Sequence, residues 1–121
     1  MPRKPPKDDA VYMADMLKAA RAVASFAQGK SLVDFESDLL LRSAIERQIE
    51  IIGEAARGVS KSKRAELPHI AWTGIIAQRH VLAHEYGEIV AARVWRVASI
   101  HVQTLIEQLI PLVPKEAGGL A

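Results

Sequence analysis

Apolar residues recur every three or four positions along most of this chain, the spacing that lines one face of a helix. Met13, Met16, Leu17, Ala20, Val23, Ala24 and Ala27 draw the first stripe, with Asp8 or Asp9 as its cap and Gly29 as its stop. The two methionines read as core packing. Residues 30–36 read as a short connection in which Asp34 or Ser37 caps the next helix. A second stripe, from Leu41 through Ala44, Ile45, Ile49 and Ile52 to Ala55 and Ala56, runs to about residue 57 and stops at Gly58. Gly53 inside it gives up about 1 kcal/mol relative to Ala, which predicts close approach of another backbone. Ser60 can cap a turn through residue 65, and Pro68 breaks it. A third helix spans residues 72–86, then a corner comes at Gly87-Glu88. The fourth spans about 90–110, with Val94, Trp95, Ala98, His101, Val102, Leu105 and Leu109 inward, and Pro111 and Pro114 end it.

Four long helices with short connections predict an all-α fold, an up-and-down antiparallel bundle with one short extra helical turn. Its expected extent is residues 10–113, after a disordered basic tail at 1–9 and before a flexible tail at 114–121. Half of the 121 residues are hydrophobic and only 5% aromatic, which favours helices over sheet. The absence of cysteine excludes disulfides, thiolate metal sites and cysteine nucleophiles, and fits a cytoplasmic protein. A net charge of +2 permits RNA or an acidic partner without demanding either. No apolar run is long enough for a membrane span, and no signal-peptide core is visible at the N-terminus.

One helix interrupts its own apolar face with chemistry. Trp72, Ile75, Ile76, Leu82 and Ala83 share a stripe, and Arg79 sits in its middle. A guanidinium cannot shed its charge, so an anionic partner or ligand is expected opposite it. Glu54, at the edge of the second helix's apolar face, is the first candidate carboxylate; the alternative is an exposed surface glutamate. His84, five residues on, is displaced by roughly 140° on an ideal helix. It converges with Arg79 if the last turn loosens before Gly87. Arg42, Glu46, Arg47 and Glu50 read as a solvated, ion-paired face. His80 and His84 are spaced to share a metal ion, with Glu85 or Glu88 adding an oxygen, but Arg79 beside them would repel a cation, so no metal is expected. His101 reads as a satisfied core histidine and His69 as exposed.

Arg79-x4-His84-x-Tyr86 resembles the RX4HXY motif of the HepT-like toxins, a branch of the HEPN superfamily of all-helical, metal-independent ribonucleases. The stretch Ser43-Ala-Ile-Glu-Arg-Gln-Ile-Glu-Ile-Ile-Gly-Glu-Ala-Ala56, then Leu67-Pro-His-Ile-Ala-Trp72, is similar to the family's preceding helix and its approach to the catalytic one. Where the branch commonly has Asn after the arginine, this chain has His80. The resemblance covers roughly residues 10–113 and implies a toxin that cleaves RNA through the 2′-OH with Arg79 and His84; His80 beside the arginine and Glu54 from its helical phase are expected to support them.

Arginine suits the phosphate through its planar fork, and histidine suits proton transfer because it titrates near neutrality. A single histidine cannot readily be base and acid in the same step, so a site shared by two protomers is attractive. The resemblance implies the same, a homodimer whose two Arg/His motifs line one cleft, without cofactor. It also implies that Tyr86 accepts AMP from a minimal nucleotidyltransferase antitoxin, a bulky anion that would block RNA. The alternative is a nuclease-dead HEPN module that binds nucleotide or the transferase as an accessory subunit.

Overall fold

The computed structural model describes residues 8–84 and 88–114, except for the side chains of Arg79, His80, Val81, Ala83, His84, Glu88 and Ile89. All its regular elements are helical: α1 (Asp9–Ala27), α2 (Leu32–Ser37), α3 (Leu39–Gly58), α4 (Lys61–Glu66), α5 (Trp72–His84), α6 (Glu88–Arg96) and α7 (Val102–Leu109). Five residues of π-helix, Val97–His101, join α6 to α7, and a 3₁₀ turn, Ile110–Leu112, closes the chain's last helix. This is the expected all-α bundle. The tails fall outside the described residues apart from Asp8, Asp9 and Pro114, and Asp9 already belongs to α1.

The helices start where short polar side chains can take up free backbone N–H groups. Asp8 caps α1 by accepting from Val11, Asp38 caps α3 by accepting from Leu41, and Ser60 caps α4 by accepting from Lys63. Gly29 ends the first helical hairpin at φ 74°, a left-handed conformation that costs glycine little. α3 stops at Gly58 as expected, and a Cβ there would run into the ring of Tyr12.

α1 is the centre of the bundle. It packs along α3 and also along α7, while α5 packs on α3. Asp9 bonds to Ser60 just past the end of α3, so α1 and α3 run antiparallel. Met16, Ala20 and Val23 of α1, Ile45 and Ala56 of α3, and Leu109 of α7 are completely shielded, and Met13 is nearly so. The methionines are core, as expected. Gly53 is buried.

Residues 30–36 do not form the expected plain connection. Ser31 and Asp34 make a reciprocal capping box that starts α2, and Asp38, not Asp34 or Ser37, caps the next helix. The short helix carries Phe35 into the core, where its ring lies 5.5 Å from that of Trp95 on α6, tilted by 38°. Phe35 thus ties α2 to α6.

The last long helix is not one α-helix. Its buried positions are Val94, Ala98, Val102, Leu105 and Leu109. Two successive four-residue steps across the π segment exceed the α-helical repeat, and they pass the inward position from 101 to 102. His101 is exposed as a result, which corrects its reading as a core histidine.

Candidate functional site

α5 brings the backbone of Arg79, His80 and His84 onto one helix. Five residues of α-helix separate Arg79 from His84 by about 7.5 Å of axial rise. Tyr86 lies outside the described residues, and so do the side chains of Arg79, His80 and His84. The start of α5 is fixed from the preceding connection. The Trp72 indole donates Nε1–H to the carbonyl of Leu67 at 3.0 Å, within the core, and Ile70 beside it is buried. Trp72, read together with Pro68 as the approach to this helix, therefore anchors its start. Ile75, Ile76 and Leu82 are half-buried and packed against the core, so the apolar stripe of the sequence is the face α5 turns inward.

Glu54 is exposed on α3 and faces a groove shared with Tyr12, Asp15 and Lys18 of α1. Its carboxylate lies 3.7 Å from the guanidinium of Arg47, which also stands 3.7 Å from Glu50. Arg42 and Glu46 pair at 4.0 Å one turn earlier. The solvated, ion-paired face is present as expected, and Glu54 has joined it. Partial burial raises the Glu46 carboxyl above its ordinary pKa, an effect that Arg42 opposes.

The side of the bundle between α5 and α7 is open. Among the described residues no extensive packing joins these two helices, and a cleft of about 410 Å³ lies between them. Ile49 and Ile52 of α3 and Val102 and Leu105 of α7 give it apolar walls. Its polar lining residues include Gln78 of α5, Thr104 of α7, His101 of the π segment and His69 of the connection before α5. Gln108, also in the lining, donates from Nε2 to the His69 carbonyl at 2.9 Å. His69 is exposed, as the sequence suggested.

Gln78 immediately precedes Arg79, and its Oε1 is removed from water without a hydrogen-bond donor. An acceptor in that condition costs about 1–3 kcal/mol. Sequence reasoning passed over Gln78 and Gln108. A faint signal was available: both are polar residues flanking an apolar stripe.

Residues 16–112 match the family described as ribonuclease HepT-like. This chain belongs to that family. A Methanocaldococcus jannaschii protein named provisionally as an RNase, MJ1380, is 26% identical over 110 residues, covering 91% of this chain and 94% of the relative. A Caldanaerobacter subterraneus subsp. tengcongensis protein, also named provisionally as an RNase, is 29% identical over 105 residues, or 87% and 94% of the two chains. A Thermococcus cleftensis protein named provisionally as ribonuclease HepT is 26% identical over 94 residues, covering 78% of this chain and 86% of the relative. No solved structure matches the chain significantly. Among the described residues no helix is long and apolar enough to cross a membrane.

Proposed function

We propose that this protein is a metal-independent endoribonuclease and the toxin of a toxin–antitoxin pair. The observation that carries the reading is the placement of Arg79 and His84 on α5, one helix of a chain that belongs to the ribonuclease HepT-like family. In the proposed reaction the ribose 2′-oxygen attacks the adjacent phosphorus as an imidazole takes its proton. The bond to the 5′-oxygen breaks, and a second, protonated imidazole supplies the proton that oxygen needs. The products are a 2′,3′-cyclic phosphate and a 5′-hydroxyl. Arg79 holds the phosphate oxygens as their charge rises.

Two histidines are required, so the working unit is a homodimer in which each protomer contributes one His84, with α5 near the two-fold axis. His80 is a supporting residue beside Arg79. Glu54 would serve as a supporting carboxylate only after leaving Arg47. Tyr86 accepts AMP from a minimal nucleotidyltransferase, and the added nucleotide occupies the phosphate position. His80, where relatives of this branch commonly carry Asn, favours one competing reading, a nuclease-dead subunit that binds nucleotide or the transferase.

The deciding experiment incubates purified dimer with RNA in excess chelator and analyses the ends. Cyclic-phosphate products that vanish in Arg79→Ala and His84→Ala and with 2′-deoxy substrate are expected. An inert wild-type protein that still binds the transferase would install the accessory-subunit reading instead.

A further inference from the structure

The cleft between α5 and α7 has features that the proposed cleavage chemistry does not use. Aliphatic side chains of α3 and α7 line it, and its volume of about 410 Å³ lies within the range of about 300–1,000 Å³ typical of ligand sites. Gln78 Oε1 is an acceptor shielded from water with no donor. Thr104 and His101, in the same lining, offer further hydrogen-bonding groups. The next residue after Gln78 is Arg79, one Cα step of about 3.8 Å along the helix.

A ligand suited to this lining has apolar faces for the aliphatic side chains, presents an N–H to Gln78 Oε1, and is attached to an anion for Arg79 to hold. A nucleobase of the RNA strand meets all three conditions. Unstacked bases are read in this way, by apolar contact on their faces and hydrogen bonds on their edges. Resting on the ribonuclease reading of Arg79, we infer that the cleft is a base-recognition subsite and that Gln78 determines specificity. The base it favours is adenine. A glutamine amide matches adenine in two hydrogen bonds, its oxygen accepting from the exocyclic amino group and its nitrogen donating to the neighbouring ring nitrogen.

The test titrates the wild-type protein with the 5′-monophosphates of adenosine, guanosine, cytidine and uridine, read by NMR. In parallel, cut sites on one mixed-sequence RNA are mapped for wild type and Gln78→Leu. Adenosine monophosphate should shift Gln78, His101 and Thr104 in a saturable manner, and more tightly than the other three. Gln78→Leu should lower that preference about ten- to hundredfold and flatten the base preference beside the cut. Shifts that avoid the cleft, or an unchanged cleavage pattern in a folded Gln78→Leu variant, would overturn the inference while leaving the ribonuclease reading in place. Adenosine monophosphate in the cleft of a protein that cuts no RNA would do the reverse: adenine recognition by Gln78 stands and the ribonuclease reading falls. If Gln78→Leu does not fold, the wild-type titration decides alone.

Discussion

Both oxygens of Asp9 bind Ser60: Oδ1 accepts the Ser60 backbone N–H at 2.7 Å, and Oδ2 accepts its hydroxyl at 2.7 Å. One exposed carboxylate thereby holds the first turn of α1 against the cap of α4, fifty-one residues away. The two bonds from Ser60 hold the Asp9 carboxyl below its ordinary pKa, assisted by Lys63.

A depressed carboxylate pKa fixes the sign of a pH effect. The clamp's contribution is present above the unfolded value of about 3.8 and is lost as pH falls through the lower folded value. Asp34, held down by the Ser31 backbone and hydroxyl, acts in the same window and the same direction. Urea midpoints measured between pH 6 and 2 should therefore fall more steeply at the acid end for wild type than for Asp9→Asn (roughly the carboxylate range). Parallel acid limbs for the two proteins would remove Asp9 from the account.

Trp72 should matter twice. Trp72→Phe removes the indole donor while the Leu67 carbonyl still accepts the Ile70 N–H, at a cost of about 0.5–1.5 kcal/mol, and Trp72→Ala should cost about 3–5 kcal/mol. Since the same contact fixes the start of α5, RNA cleavage by the Phe variant should fall at temperatures where the protein remains fully folded. Denaturant melts paired with activity assays separate the two effects.

Phe35→Ala should lose about 3–5 kcal/mol, as expected for a fully buried aromatic ring. Its partner Trp95 is only half-buried, so near-ultraviolet circular dichroism should register the lost contact before global unfolding does.

His84→Ala should lower cleavage by about 10²–10⁴-fold, the usual worth of a general acid or base. Activity that persists in this variant, or that needs added zinc or magnesium, would refute the assignment. Mixing Arg79→Ala with His84→Ala protomers should restore part of the activity if one protomer's histidine serves the other's arginine.

Tyr86→Phe should keep ribonuclease activity yet escape silencing by the cognate transferase with ATP. Mass spectrometry of the wild-type peptide should show adenylyl mass. Neutralisation that survives in the Phe variant would mean inhibition by binding alone.

The stripes of α1 and α3 were legible in the sequence because every signal agreed: acidic or hydroxyl caps, unbroken periodicity and a glycine at the exit of α1. α2 was not, although Ser31 and Asp34 spell a capping box, because six residues give too short a stripe for periodicity to register. His101 was misplaced for a different reason. A constant repeat of about 3.6 residues was assumed through a segment whose repeat is wider. Arg79 and His84 are proposed from a motif, which speaks of chemistry and not of packing. Gln78 was missed because periodicity tells which face of a helix is apolar and says nothing of whether a neighbour covers it.

The π segment lets one helix answer to two timekeepers. α6 takes its rotational phase from α2, through Phe35 and Trp95, while α7 takes its phase from α1. A continuous α-helix would have to satisfy both with one clock, and a change at either partner would be transmitted to the other. The wider turn at Val97–His101 absorbs the difference. Substitutions at its exposed Ser99 and Ile100 are therefore cheap, and removing one residue there should close the wide turn into a continuous α-helix that keeps Val102 inward and His101 outward.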